Sequence, residues 1–276
     1  MTTRFISDSA SDVREMEHAD FVSVPLRITT GRADYVDDED LDVPGMLRDL
    51  STYKGRSGTS CPGIDSWLEA FGEADRIYMV TITSGLSGTF NSAEVARRQY
   101  LQSHPDARVH VFDSLSTGPE ERLLLEKLVE LEGQGLSFEE VCRRGRAYLE
   151  KSRLFFTLAS LHNLAQNGRV SKVVAAAVGV LGIRMLGTAS PEGTLQPLAK
   201  CRGDKKLLEL LRDKLREAGY RGGKVRISHV ACGELAQTFK AAILEGYPNA
   251  DVLAYEARGL CSYYAEAGGM LIGCEC

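Results

Sequence analysis

Short apolar runs, each closed by small hydroxyl-bearing residues, punctuate the first half of the chain. Arg4-Phe5-Ile6 leads into Ser7-Asp8-Ser9-Ala10-Ser11-Asp12, and Ile77-Tyr78-Met79-Val80 into Thr81-Ile82-Thr83-Ser84-Gly85-Leu86-Ser87-Gly88-Thr89. Val109-His110-Val111-Phe112 leads into Asp113-Ser114-Leu115-Ser116-Thr117-Gly118. Runs of this length bounded by turn residues predict buried strands. Helical patterns follow them: Ala93–Arg98, Pro119–Glu132, and a helix from Ser137 to about Lys151 with Glu140 three residues past the N-cap. Strands alternating with helices predict a parallel α/β sheet that binds ligands at the carboxyl ends of its strands. The three hydroxyl-rich turns, after residues 6, 82 and 112, then cluster along one edge.

Other segments carry their own signals. Phe21–Ile28 alternates around Pro25, which predicts an edge strand or a bulge. An acidic loop, Asp34–Asp42, precedes a helix over Pro44–Leu50. Gly55–Gly63 reads as a loop, with Pro62 in the first turn of the next helix.

The second half reads as a strand over Leu154–Leu158 and a short helix, Leu161–Gln166, stopped by Asn167-Gly168. A helix from Ser171 carries the apolar run Val173–Leu181. A hairpin over Met185–Lys200 turns at Ser190-Pro191-Glu192-Gly193. Asp204 caps a helix to Glu217, and Lys224–Ala231, a helix from Gly233 and Asp251–Glu256 add a second α/β unit. The expected fold class is therefore α/β, in two domains. Residues 1–153 form the N-terminal parallel-sheet domain and 154–276 a smaller C-terminal α/β domain.

Composition narrows the function. The 276 residues carry 33 basic and 38 acidic side chains, a formal charge of −5. No basic stripe marks a nucleic-acid surface. The longest apolar run is too short to span a bilayer, and Met1–Val13 lacks the pattern of a secretion signal, so the expected location is cytoplasmic. Seven cysteines, at 61, 142, 201, 232, 261, 274 and 276, share no repeated spacing. Cys274-Glu275-Cys276 is a weak metal signal without histidines nearby, and reduced thiols with no metal or cofactor are expected.

The chemistry concentrates at Thr81–Ala93. Gly85 and Gly88 allow close approach of backbone, and the serines and threonines can cap the helix that follows. A strand turning into a helix N-terminus aims N–H groups and a positive dipole end at one spot. That is an anion site without a lysine.

Several segments, in order along nearly the whole chain, resemble the DegV family of bacterial fatty-acid-binding proteins. They are Ile6-Ser7-Asp8-Ser9-Ala10-Ser11-Asp12, Val24-Pro25-Leu26, Thr59-Ser60-Cys61-Pro62, Thr83–Thr89, Asn167-Gly168-Arg169-Val170-Ser171, Lys200-Cys201-Arg202-Gly203 and Val225-Arg226-Ile227-Ser228-His229. The resemblance implies a long-chain acyl group in an apolar tunnel between two α/β domains. It also implies a carrier that presents the carboxylate to a separate fatty-acid kinase, which makes acyl phosphate for phospholipid synthesis. By resemblance, Thr59, Ser60, Ser84, Gly85 and Ser87 meet the carboxylate, while Arg169 and His229 face the ligand or the partner. The family's terminal strand carries His-x-Gly-Pro-Gly; here Ala265 stands at the histidine and Gly268 at the proline. Tyr263, Tyr264 and Arg258 are the residues nearby that can substitute.

The residue chemistry agrees with a carrier. Holding a carboxylate reversibly needs donors rather than a nucleophile. Tail burial supplies roughly 0.8 kcal/mol per CH₂. Gly179, Gly182 and Gly187, with Ala175, Ala176 and Ala177, either leave room for an acyl chain or pack a helix closely on a sheet.

A competing reading is a serine hydrolase of small esters, since Gly85-Leu86-Ser87-Gly88-Thr89 falls one residue short of G-x-S-x-G. Of His18, His104, His110, His162 and His229, only His229 ends a predicted strand facing the site. Nucleotide-phosphate motifs are absent from the sequence. A third reading keeps the scaffold and binds a different amphipathic anion.

Overall fold

The computed structural model describes residues 2–176, 178 and 182–276. Its first sheet is parallel, in the order β2-β1-β6-β7, built from β1 (Thr3–Asp8), β2 (Phe21–Val24), β6 (Arg76–Thr81) and β7 (Arg108–Asp113). Side chains alternate between its two faces, as a pleated strand requires. Ile6, Ile77, Met79, Val109 and Val111 pack against Trp67 and Phe71 of α2 (Ile64–Phe71) and Ala93 and Ala96 of α3 (Thr89–Ser103). Phe5, Tyr78, Val80 and Phe112 pack against α4 (Pro119–Gly133) and α5 (Phe138–Leu149). Burial of both faces explains why these strands read as near-continuous apolar runs. Ser137 caps α5 as expected, accepting from Glu140 N at 3.2 Å.

The second sheet is mixed, in the order β10-β9-β8-β13-β11-β12. It comprises β8 (Ser152–Leu158), β9 (Ile183–Ala189), β10 (Leu195–Arg202), β11 (Val225–His229), β12 (Val252–Glu256) and β13 (Met270–Glu275). Only the β11–β12 pairing in it is parallel. One face is covered by α8 (Asp204–Glu217) and α9 (Gly233–Gly246) through Leu207, Leu211, Leu215, Phe239 and Ile243. The other face carries Leu154, Phe156, Leu158 and Leu271 toward the first half of the chain. Helix α4 lies between the two sheets, packing on β6 and on β13. A Cβ at Gly273 would come within 2.7 Å of the Pro119 carbonyl carbon, so glycine lets the start of α4 settle on β13.

Several local readings need correction. Phe21–Ile28 is not one strand: Pro25 ends β2 at a sheet edge, and β3 (Arg27–Thr29) leaves for a small antiparallel sheet, order β4-β3-β5. Its other strands are β4 (Asp34–Val36) and β5 (Gly58–Ser60), in stretches expected to be loops. Both are three residues long, and pairing with β3 rather than their own apolarity makes them strands. Helix α1 (Val43–Thr52) is as expected. Pro62 lies before Gly63, the N-cap of α2, and Gly203 rather than Asp204 occupies the N-cap of α8. After α6 (His162–Gln166) and α7 (Lys172–Ala175), the C-terminal stretch Gly259–Ala265 forms α10, a helix where the family resemblance implied a strand. Among the described residues, no helix is long and apolar enough to cross a membrane.

Candidate functional site

The three hydroxyl-rich turns meet at the carboxyl ends of β1, β6 and β7. Asp8 Oδ2 accepts from Ile82 N at 2.8 Å, Thr83 N donates to Ser116 O at 2.8 Å, and Gly118 N donates to Ala10 O at 2.9 Å. Between these turns and the second sheet lies a cavity with about 800 Å³ of empty space, partly open to solvent. Leu154, Phe156, Leu158, Leu195 and Leu271 give it an apolar body. Polar side chains gather along the rest of its wall: Thr59, Thr83, Ser87, Thr117, Arg169 and Tyr264.

Of the expected site residues, Thr59, Ser87 and Arg169 line the cavity. Ser60, Ser84 and Gly85 are exposed and lie off its wall. Thr59 and Ser60 are consecutive on β5, so their side chains point to opposite faces and only one can turn inward. Ser84 donates its backbone N–H to Asp113 Oδ1 at 3.0 Å, which makes Asp113 a turn residue. A Cβ at Gly85 would meet Glu192 O at 2.5 Å, so this glycine lets the β9–β10 turn approach the Thr83–Ser87 loop.

His229 sits at the end of β11, buried and away from the cavity wall, its Nδ1 without a hydrogen-bond partner among the described residues. Burial lowers its pKa, which favours the neutral ring. Gly187, expected to make room for a ligand, makes room for the Phe156 ring across the β8–β9 ladder instead. Ala177 and Gly179, named for the same purpose, lie outside the described residues.

The polar wall is organised around Tyr264. Its hydroxyl lies 2.7 Å from Thr59 Oγ1, and the Arg169 guanidinium stands over its ring, 5.8 Å from the centroid. Arg169 is oriented by two carbonyls, donating from Nε to Leu86 O at 3.3 Å and from Nη1 to Asn167 O at 2.7 Å. Ser87 Oγ is 2.8 Å from Thr89 Oγ1 at the first turn of α3. The neighbouring Tyr263 turns away, its hydroxyl 2.7 Å from Ser57 Oγ and accepting from Asn167 Nδ2 at 2.9 Å. Ala265 itself lines the cavity. Thr83 and Thr117 were not singled out from the sequence, although both stand in the hydroxyl-rich turns that were.

A buried acidic cluster behind the cavity holds α10 in place. Asp37 accepts from Gly259 N at 2.7 Å and Leu260 N at 2.9 Å, and Asp12 accepts from Arg258 N at 2.7 Å. The Arg258 guanidinium donates to Val13 O, Asp37 O and Ser23 Oγ, which takes it out of contention for the ligand. Burial pushes the carboxyls of Asp8 and Asp12 up to about 7, and raises those of Asp37 and Glu121. These groups set the frame that aims Tyr264 and Ala265 at the cavity.

The DegV family model, described as an uncharacterised protein family, matches residues 2–273. The chain belongs to the DegV family. A DegV domain-containing protein of Streptococcus gordonii is 43% identical over 279 residues, covering 100% of this chain and 99% of the relative. Two solved DegV-fold structures superpose with a TM-score of 0.98. One is a DegV family protein from Eubacterium eligens loaded with heptadecanoic acid, 54% identical and covering 99% of each chain. The other is the Streptococcus pneumoniae Fatty Acid Kinase (Fak) B3 protein loaded with linoleic acid, 45% identical and covering 100% of this chain and 99% of that one. In this DegV chain, the wall beside Ala265 is furnished by the phenol of the residue before it.

Proposed function

We propose that this protein binds a long-chain fatty acid non-covalently, burying the acyl tail among Leu154, Phe156, Leu158 and Leu271 and holding the carboxylate at Thr59, Ser87, Arg169 and Tyr264. The observation that carries the reading is an apolar cavity whose wall gathers one arginine and several hydroxyls, Thr59, Ser87 and Tyr264 among them. A dozen buried methylenes would contribute on the order of 10 kcal/mol before ordering costs are subtracted. The fatty acids held by the two solved structures reported above support the ligand class. By the same resemblance the carboxylate is handed to a fatty-acid kinase for acyl phosphate formation, in the cytoplasm. The two lobes, 1–153 and 154–276, clasp the ligand between them.

The carrier performs no chemistry in this reading. Ser87 Oγ is paired with Thr89, and no histidine is among the described residues lining the cavity, so a base to activate the serine is lacking there. Mass spectrometry of protein purified from cells, native and then after organic extraction, tests the proposal. One fatty acid per chain, depleted in Arg169→Ala, is the expected result. An empty protein, or one holding a different amphipathic anion, would overturn it; labelling of Ser87 by a fluorophosphonate with turnover lost in Ser87→Ala would establish the hydrolase instead.

A further inference from the structure

We infer that Cys274 and Cys276 form a reversible dithiol–disulfide site, oxidised by low-molecular-weight disulfides. Their Sγ atoms lie 3.4 Å apart, at the end of β13 and on the sheet face opposite Leu271. Residues two apart on an extended strand share a face, which is why the two thiols meet. Cys274 is fully buried and stands opposite Arg153 in the ladder, whereas Cys276 is half-buried, one residue past the end of the strand. Its backbone N–H is held by Lys151 O at 2.6 Å. Cys276 is therefore the more accessible member of a pair whose backbone is held in register.

The electrostatics assign the same order of events. The hydrogen bond to Cys276 holds the Cys274 thiol well above its ordinary range, with burial acting the same way. The same hydrogen bond draws Cys276 down toward its thiolate form. Thiolate is the attacking species in disulfide exchange, so Cys276 attacks first. It bonds to one sulfur of the small disulfide and expels the other as thiolate, which takes a proton. Cys274 then loses its proton and attacks the Cys276 sulfur, expelling the second small thiol. Two protein thiols are oxidised to one disulfide, and one small disulfide is reduced to two thiols.

Cα atoms two apart on a strand are about 6.7 Å apart, near the upper limit of roughly 4.4–6.8 Å for disulfides. Closing the bond pulls Cys276 out of its extended position, and bonds strained in this way are easily reduced. That strain makes the site reversible. The other thiols do not compete for the same product: Cys142, Cys201 and Cys261 are buried, Cys61 is exposed but has no thiol partner, and Cys232 donates to Gly269 O at 3.3 Å.

The test is to treat the reduced full chain, in a Cys61→Ser background, with oxidised glutathione and map the peptides by mass. The expected product is a C-terminal peptide lighter by two hydrogen atoms, restored by a dithiol reductant and absent in Cys276→Ser. Cys274→Ser is expected to stall with glutathione attached to Cys276. Should Cys274→Ser fail to fold, phenylarsine oxide on the unmutated pair replaces that arm: both sulfurs bond to one arsenic with loss of water, and Cys276→Ser forms no such bridge. A lasting glutathione adduct on Cys276 with Cys274 present, an unreacted pair, or absence of the arsenical bridge would each overturn the proposal.

Discussion

The Tyr264 hydroxyl and the Thr59 hydroxyl lie 2.7 Å apart, joining the second turn of α10 to the short strand β5 across the cavity wall. One side chain precedes Ala265 and the other comes from a segment with almost no apolar signal. The Arg169 guanidinium stands over the ring that carries the first of these hydroxyls. Tyr264→Phe keeps the ring under Arg169 and removes one donor. A hydrogen bond to an ionised carboxylate is worth about 1.5–3 kcal/mol, so fatty-acid affinity should fall by roughly 10- to 150-fold in a fluorescent-ligand displacement assay. Tyr263→Phe, whose hydroxyl faces Ser57 and Asn167, should leave that affinity close to the parent's.

Arg169 carries the only positive charge on the described cavity wall. Hydrogen bonds to a charged group contribute about 1.5–3 kcal/mol. Arg169→Met should therefore weaken carboxylate binding by on the order of 10- to 100-fold, while a fatty alcohol of equal length loses far less. Equal losses for acid and alcohol, measured by calorimetry, would place the carboxylate elsewhere.

The buried carboxyls make stability depend on pH in an unusual direction. Asp8 and Asp12 move from 3.8 to about 7 on folding because burial disfavours their charged forms. The folded chain thus binds their protons more tightly than the unfolded chain does. Their contribution is fully present below about pH 4 and is lost as the pH rises toward 7. At about 1.4 kcal/mol per unit, each is worth up to roughly 4 kcal/mol over that window, and less than twice that together because they share one cluster. Asp251, held low by hydrogen bonds from Arg226, acts in the opposite sense and only at more acid pH. Burial holds His110 down to about 4 and lowers His229, which opposes this loss in the same window, so the readout is a comparison: urea midpoints should fall less, or rise more, between pH 4 and 7 in Asp12→Asn than in the parent.

Gly187→Ala should destabilise the second sheet. The new Cβ would press on the Phe156 ring and come within 2.8 Å of Gln196 O in the adjoining strand. Overpacking of this kind costs about 1–3 kcal/mol. Thermal unfolding should show the loss, and the displaced ring should shorten the longest acyl chain the protein retains.

The sequence by itself determined the parallel sheet, the three hydroxyl-rich turns at its carboxyl edge and membership of the DegV family. Those features are local: apolar runs buried on both faces, followed within a few residues by small capping side chains. Ile77–Val80 and the Thr81–Thr89 turn carry all of that information in one continuous stretch. Tertiary structure alone decided which hydroxyls serve the cavity. Thr59 and Ser60 are chemically alike, and only the pairing of β5 with β3 turns one inward and the other out. Arg258 and Tyr264 lie six residues apart, yet contacts with Val13, Ser23 and Asp37 bury the first while α10 delivers the second to the wall. Such choices depend on partners 31 residues away for Thr59 and more than 200 away for Arg258, and periodicity within a segment does not encode them.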